Sequence, residues 1–322
     1  MAFSAESRSN WMLNCSLVVR AYNEAAHIGR LLEGIRRQTV SDVEIILVDS
    51  GSTDATAAIA TKYAAKVVHI APQEFTFGRS LNRGLAAATR ELTIIASAHV
   101  YPVYPDWLER LLEPFSDPKL ALVYGRQHGD ENSKFSEQQV FARWFPDKPD
   151  LHQSGPFCNN ANAAIRRSVW DGHPYDETLT GLEDLAWARW VQGRGYSIAY
   201  VPAAEVVHVH NETPRGVSNR YRREGMAFKR IYPEAHFSLY DFARNTVASI
   251  GFDLLHAARQ RVFFRSLASI FWFRAAQFWG TYQGYRHSSP LTPELRQTFY
   301  YHVGWEKMKP SRRDIQPIDY KE

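Results

Sequence analysis

The chain has 322 residues, enough for one large α/β domain or for one domain with an appended helical region. Its 45% hydrophobic and 22% charged residues are those of an ordinary folded protein, and a formal charge of +4 without a regular basic array argues against nucleic acid as a partner. Cys15 and Cys158 are the only cysteines and form no secreted disulfide pattern. The first residues lack a basic segment followed by an apolar core, and no run reaches the roughly 18 apolar residues of a membrane span. A cytoplasmic protein is the default expectation.

Residues 1 to about 12 read as a loose polar lead. Cys15 to Val19 is an apolar strand that ends in a polar turn at Arg20, Tyr22, Asn23 and Glu24. Ile28, Leu31, Leu32 and Ile35 share one face of the helix that follows, and Val43 to Val48 forms a second strand ending in Asp49, Ser50, Gly51, Ser52, Thr53 and Asp54. This is a βαβ unit with polar groups at the carboxyl ends of adjacent strands, where open α/β sheets place their ligands. A helix from Asp54 to Tyr63 and a strand from Ala65 to Ile70 come next, then a helix that turns Leu81, Leu85 and Ala88 inward. Strand Leu92 to Ala96 carries Ser97, Ala98 and His99 at its carboxyl end, and Asp106 caps a helix to Leu112.

Alternation at this spacing predicts a right-handed, mostly parallel sheet flanked by helices. Leu120 to Tyr124 adds a strand, GRQHGDENSKFSE a polar loop, Gln138 to Phe145 a helix and Asn162 to Ile165 another strand. Residues 183 to 194 give a helix with Leu185, Trp187, Ala188 and Val191 inward. Strands Ser197 to Val201 and Glu205 to Val209 lead into a His-rich turn. From residue 218 the pattern is mostly helical, and the expected division is an α/β unit over 1–217 and a helical extension over 218–322. Arg259, Arg261, Arg265 and Arg274 rule out an all-round apolar span between Phe237 and Tyr285. An aromatic, basic helix of this kind suits a membrane interface, and a hairpin packed on the first unit or an oligomer contact are the alternatives. The last 30 or so residues read as polar and irregular.

The segments VVRAYNE and LVDSGSTD resemble the two N-terminal motifs of the family 2 glycosyltransferases, which have the GT-A fold. The resemblance runs over about residues 13 to 212 and implies an α/β, GT-A-like sheet with a nucleotide-sugar donor site. It assigns Ala21, Tyr22, Glu24, Asp49, Ser50 and Asp54 to that site. Carboxylates there would accept hydrogens from the base or ribose, although a solvated turn accounts for any one of them alone. FGRSLNRG resembles the family's next donor segment, so Arg79 and Asn82 join the list, with a salt-bridged helix start as the competing account of Arg79.

Where the family carries Asp-x-Asp for a divalent ion, this chain has Ser97, Ala98 and His99. The loss disfavours ordinary Mg²⁺ binding, while a neutral imidazole suits Mn²⁺ or a softer ion. His208 and His210 lie in VVHVHNE, and His99 with one of these two is the best metal site the sequence offers. Metal-free neutralisation by cationic side chains is the alternative. The acidic pair Glu183-Asp184 resembles the family's catalytic pair, which makes Asp184 the expected base and Glu183 a hydroxyl-binding residue, against the plain alternative of a helix cap. GPFCNNANAAIRRSVW resembles the loop and strand beside the donor sugar and acceptor, so Asn160, Asn162, Arg166 and Arg167 are candidate contacts.

These residues imply an inverting transferase acting on a nucleotide sugar and a surface-glycan or lipid-linked hydroxyl, at the inner face of the cytoplasmic membrane. A non-catalytic nucleotide-sugar-binding scaffold is the second class, because Asp-x-Asp is missing. A sugar-nucleotide pyrophosphorylase is a weaker third, because its glycine- and lysine-rich phosphate loop is absent.

Overall fold

The computed structural model describes residues 14–210, 213–286 and 315–320. The polar lead and most of the irregular tail expected from the sequence lie outside them. Eight strands form one sheet in the order β3-β2-β1-β4-β7-β6-β8-β5. They are β1 (Asn14–Ala21), β2 (Asp42–Asp49), β3 (Lys66–His69), β4 (Leu92–Ser97), β5 (Val100–Pro102), β6 (Leu120–His128), β7 (Asn162–Arg166) and β8 (Ser197–His208). β1, β2, β3 and β4 pair in parallel, as do β6 and β8, whereas β7 and β5 run antiparallel to their neighbours.

The period-two alternation of buried strands builds two cores at once. Cys15, Leu17 and Val19 of β1 face one cluster, which is closed by Leu31 and Leu32 of α1 (Ile28–Arg36) and by Trp107 and Leu111 of the helix Trp107–Leu112. Val18, between them, faces the other, with Leu81 and Leu85 of the helix Phe77–Ala87. Both faces of β1 are therefore largely apolar, apart from Ser16, which bonds Glu44 near the amino end, and the cleft residues follow at its carboxyl end. The sequence turns outward there between β1 and β2 on one side and β4 on the other, a topological switch point.

Local differences from the sequence reading have simple causes. Asp106 precedes the helix to Leu112 but makes no capping bond, and its carboxylate instead accepts from Arg110 at 2.9 Å. The stretch read as a loop after Tyr124 continues β6 as far as His128, and the two strands read before the His-rich turn are one, β8, with a register shift opposite Gly125 to Gln127. The helical pattern begins at Pro214 rather than residue 218: Thr213 accepts from the Gly216 N–H at 3.2 Å, and Pro214 sits in the first turn, where its missing donor is harmless.

The remaining helices used below are α2 (Thr56–Lys62), α3 (Phe77–Ala87), α4 (Trp107–Leu112), α5 (Phe135–Trp144), α6 (Arg167–Gly172), α7 (Glu183–Gly193), α8 (Pro214–Ile231), α9 (Leu239–Arg259) and α10 (Phe263–Tyr285). α8 and α10 pack Phe228 against Phe278 and Tyr285, and beside these rings they cross backbone to backbone at glycines. A Cβ on Gly280 would stand 2.1 Å from the Ser218 carbonyl oxygen, and one on Gly284 would stand 2.4 Å from that of Arg222. α9 and α10 are pinned to α5 by a buried ion pair: Arg274 donates to both oxygens of Asp253 at 2.7 and 2.9 Å, and Ser136 donates to the same carboxylate at 2.6 Å.

Candidate active site

A cleft of about 550 Å³ opens at the carboxyl ends of β1 and β4 and is closed by the start of α7 and by α8. The loop after β1, which carries Glu24 into the cleft, is stitched by polar groups to the loop after β2. The Asn23 N–H donates to Ser52 Oγ at 2.9 Å, Thr53 N–H to Asn23 Oδ1 at 2.8 Å, Glu24 N–H to Thr56 Oγ1 at 2.7 Å and Ala25 N–H to Asp54 Oδ2 at 3.0 Å. Asn23 holds φ at 54° and Gly51 at 87°, left-handed values that suit Asn and Gly. The motif residues Asn23, Ser52, Thr53 and Asp54 thus shape the loops, and the carboxylate of Asp54 is occupied by backbone and Thr56 donors.

With the loops fixed, Glu24 reaches His99: its Oε1 accepts from Nδ1 at 2.7 Å. β5 explains what meets His99 from the other side. This three-residue strand, not anticipated from sequence, pairs Val100 with His208, and the Val209 N–H donates to the His99 carbonyl at 3.0 Å. Residues two apart on extended chain share a face, so His208 and His210 both turn toward His99. Their ring centroids are 4.1 Å apart, and one nitrogen from each of the three rings lies within 4.8 Å of the others. The sequence reading supplied one of the two; the fold brings both.

The three rings have the same outer bonding. Nδ1 of His99 meets Glu24, Nδ1 of His208 meets Gln127 Oε1 at 2.7 Å, and Nδ1 of His210 meets Glu137 Oε1 at 2.8 Å. An oxygen acceptor on each Nδ1 fixes the tautomer that leaves a lone pair on Nε2. Nε2 of His208 is buried with no hydrogen-bond partner. Burial foremost, then neighbouring positive charge, holds His208 and His210 well below the usual histidine range, so both are neutral at pH 7. Neutral, pre-oriented imidazoles around an orphaned nitrogen fit a divalent transition ion. They fit Mg²⁺ poorly, because it prefers oxygen ligands.

The acidic pair lies across the same cleft lining. Leu182 holds φ at 55°, strained for a branched side chain, and this turn starts α7 so that Glu183 and Asp184 project from its first turn. Asp184 Oδ2 accepts from the Asn160 N–H at 3.1 Å, and Oδ1 from the Leu185 N–H at 2.8 Å. Helix-start position alone would keep it ionised, as expected from the sequence. Burial, and then the adjacent Glu183 carboxylate, outweigh those bonds and push Asp184 up to about 7. Glu183 pairs with Arg20 Nη1 at 3.3 Å. The Arg20 and Arg223 guanidiniums lie 5.0 and 5.1 Å from the Phe77 ring centre, and Arg220 completes a cationic wall.

A smaller cavity of about 170 Å³ adjoins the cleft, sharing Asp184, His208 and His210 with it. Trp144, Phe157, Leu185, Tyr221 and Phe228 give it aromatic and apolar walls.

Of the residues named from sequence, Glu24, Ser97, His99, Asn160, Glu183, Asp184, His208 and His210 line the cleft together. Ala98 does not, because strand alternation turns it into the core while Ser97 and His99 face outward. Ala21, buried, and Tyr22, exposed, precede the loop without lining the cleft. Asp49 and Ser50 sit one strand over on the same carboxyl edge; Asp49 accepts from the Ser52 N–H at 3.2 Å and faces His69 at 3.3 Å. Arg79 and Asn82 do not line the cleft: Arg79 meets Glu177 at 2.7 Å, and Asn82 bridges Tyr175, Glu177 and Trp170. Asn162 is buried under the sheet end, bonded to Trp107 and to the Arg126 and Ala204 carbonyls. Arg166 lies at the far end of antiparallel β7, where it caps the Leu120 and Phe115 carbonyls, and Arg167 pairs with Asp171. The cations that do reach the cleft are Arg20, Arg220 and Arg223. Arg20 stood next to the YNE motif in sequence, whereas α8 gave no local sign of entering a site almost 200 residues from β1.

Comparison with known proteins follows the same lines. The description "Glycosyl transferase family 2" fits residues 16–172. The O-antigen chain rhamnosyltransferase WbaN of Salmonella anatum is 32% identical over 229 residues, covering 67% of this chain and 72% of that protein. RfbN of Salmonella typhimurium, of the same description, is 31% identical over 232 residues, covering 66% and 72%. Among solved structures, the mannosyltransferase PcManGT from Pyrobaculum calidifontis, in complex with GDP-Man and Mn²⁺, superposes with a TM-score of 0.55 at 20% identity, covering 84% of each chain. S. aureus TarS 1-349 in complex with UDP-GlcNAc gives 0.51 at 14%, covering 85% of this chain and 92% of that one. These likenesses show a shared fold. Fold and cleft together define a GT-A glycosyltransferase, an enzyme that takes its sugar from a nucleotide-sugar donor. Within that class the chain belongs to glycosyl transferase family 2.

Proposed function

We propose that the enzyme transfers its sugar with inversion to a hydroxyl of a surface-glycan or lipid-linked saccharide, with Asp184 as the base. The observation that carries this reading is Asp184 itself: a buried carboxylate, its pKa raised toward neutrality, held by the Asn160 N–H in the cleft that also contains the histidines. The acceptor oxygen forms the new bond to the anomeric carbon as the carbon–oxygen bond to the diphosphate breaks. The nucleoside diphosphate leaves with that electron pair, and the acceptor proton passes to Asp184. Arg20, Arg220 and Arg223 supply positive charge where the diphosphate develops its negative charge. His99, His208 and His210 would hold a divalent ion, which when bound neutralises the same charge.

The aromatic cavity beside Asp184 suits the apolar face of an acceptor pyranose ring. Two relatives named as O-antigen chain rhamnosyltransferases make a 6-deoxyhexose donor the first to try. The histidine cluster weighs against a non-catalytic scaffold, since it offers three candidate metal ligands at the strand end where the family carries Asp-x-Asp.

The test is product formation by purified protein with UDP-, GDP-, dTDP- and CMP-sugars and a pyrophosphate-lipid-linked saccharide, with the product anomer read by NMR. An inverted linkage is expected. A retained linkage, or full turnover by Asp184→Asn, removes Asp184 as the base.

A further inference from the structure

α9 is inside out. Its inward face is Asn245, Ser249, Asp253 and Ala257, spaced four apart and buried, three of them polar. Its outward side chains include Tyr240 and Val247, both 72% exposed, with Leu239 and Leu255. α10 is apolar on both sides: it buries Ile270, Phe273, Phe278 and Tyr285 beside the polar Ser266, Arg274, Gln277 and Thr281, yet Phe264 is 90% exposed, and Phe271 and Trp279 also face outward. A helix that faces only water carries the opposite arrangement.

The charge on this hairpin is one-sided. From Phe242 to Arg286 the only acidic residue is Asp253, and it is buried against Arg274. Arg259, Arg261 and Arg265 stand exposed around the turn between the helices, next to Phe264. A protein partner covering these apolar side chains would have to bring its own carboxylates to the arginines. A second copy would not, because a twofold contact uses the same patch on both sides, and residues 242–286 offer no exposed carboxylate to face the arginines. A bilayer surface rich in anionic lipid satisfies both features at once: phosphates meet the arginines, and Phe264, Phe271, Val247 and Leu255 enter the acyl boundary. Tyr240 and Trp279 are the amphipathic aromatics that favour headgroup depth. Among the described residues, no helix is long and apolar enough to cross a membrane, so this contact is with the surface.

We propose that the outer face of the α9–α10 hairpin is a docking surface for an anionic lipid bilayer. The proposal stands apart from the transfer reaction, and its test uses no nucleotide sugar. The full chain is mixed with sedimenting vesicles of phosphatidylcholine alone or with one quarter phosphatidylglycerol. Expected is binding at least about tenfold tighter to the anionic vesicles, weakening as salt is raised. Phe264→Ser with Phe271→Ser should weaken it by about tenfold or more, and Arg259→Gln with Arg261→Gln and Arg265→Gln should remove its salt dependence. Circular dichroism and melting temperature confirm that both variants are folded. Binding to neither vesicle, or equal binding to both, overturns the proposal. So does a dimer in sedimentation velocity that Phe264→Ser dissociates, since the face would then belong to a second copy.

Discussion

Glu24 and His99, 75 positions apart, share a 2.7 Å hydrogen bond at the ends of two neighbouring strands. This bond ties the nucleotide-sugar motif of the first βαβ unit to the histidines that replace the family's metal-binding acids. Because Glu137 and Gln127 do the same for His210 and His208, the cluster has a complete outer layer of acceptors.

Chelation should therefore abolish transfer. Mn²⁺ or Co²⁺ should restore it better than Mg²⁺, because the donors are imidazole nitrogens. Glu137→Gln should weaken metal affinity by about 10–100-fold while leaving the ligands in place. Isothermal titration with each ion checks both points.

Asp184→Asn should lower kcat by about 10²–10⁴-fold with little change in nucleotide affinity. Wild-type kcat should rise with pH through about 7, since only the ionised carboxylate accepts the proton. The stability sign is opposite. Between the ordinary carboxylate range and about 7, the folded chain keeps a proton that the unfolded chain has lost, so this group's contribution falls as pH rises. Asp184→Asn should accordingly melt higher than wild type above pH 7, and calorimetry across pH 5–8.5 reads the difference.

The loop stitch makes a backbone prediction. Asn23→Ala removes the bond to Thr53 and also forces a β-carbon into a left-handed conformation, whereas Asn23→Gly removes the bond alone. Alanine should be the less stable of the two by about 1 kcal/mol, measured by urea denaturation.

Arg274→Met strands the buried Asp253 carboxylate and should cost about 3–5 kcal/mol. Replacing both, as Arg274→Met with Asp253→Leu, should recover most of that loss, because no unpaired charge remains. Equal destabilisation in the single and double variants would show that packing matters more here than charge.

The sequence showed the core strands plainly because Cys15 to Val19 and Val43 to Val48 are continuous apolar runs, and it pointed to Glu24, His99 and Asp184 through motifs that resemble those of the family 2 glycosyltransferases. It hid β5, whose three residues carry no period, and with it the reason that both His208 and His210 reach His99. Arg166 lies away from Asn160 for a reason invisible locally: β7 runs antiparallel, so Asn160 enters the cleft and Arg166 leaves at the opposite end. Arg79 and Asn82 were legible as polar residues near a helix start, but their partners, Glu177 and Tyr175, are over 90 positions away. Motif spacing also could not separate residues that shape a loop, such as Asp54, from residues that face its interior.

Gly280 and Gly284 give the α8–α10 crossing a final meaning. With backbone resting on backbone at these two positions, α8 cannot move closer to α10 there. Any side chain at Gly280 or Gly284 would press on the backbone of α8, the helix that carries Arg220 and Arg223 into the cleft, so a substitution outside the site would reach its cationic wall.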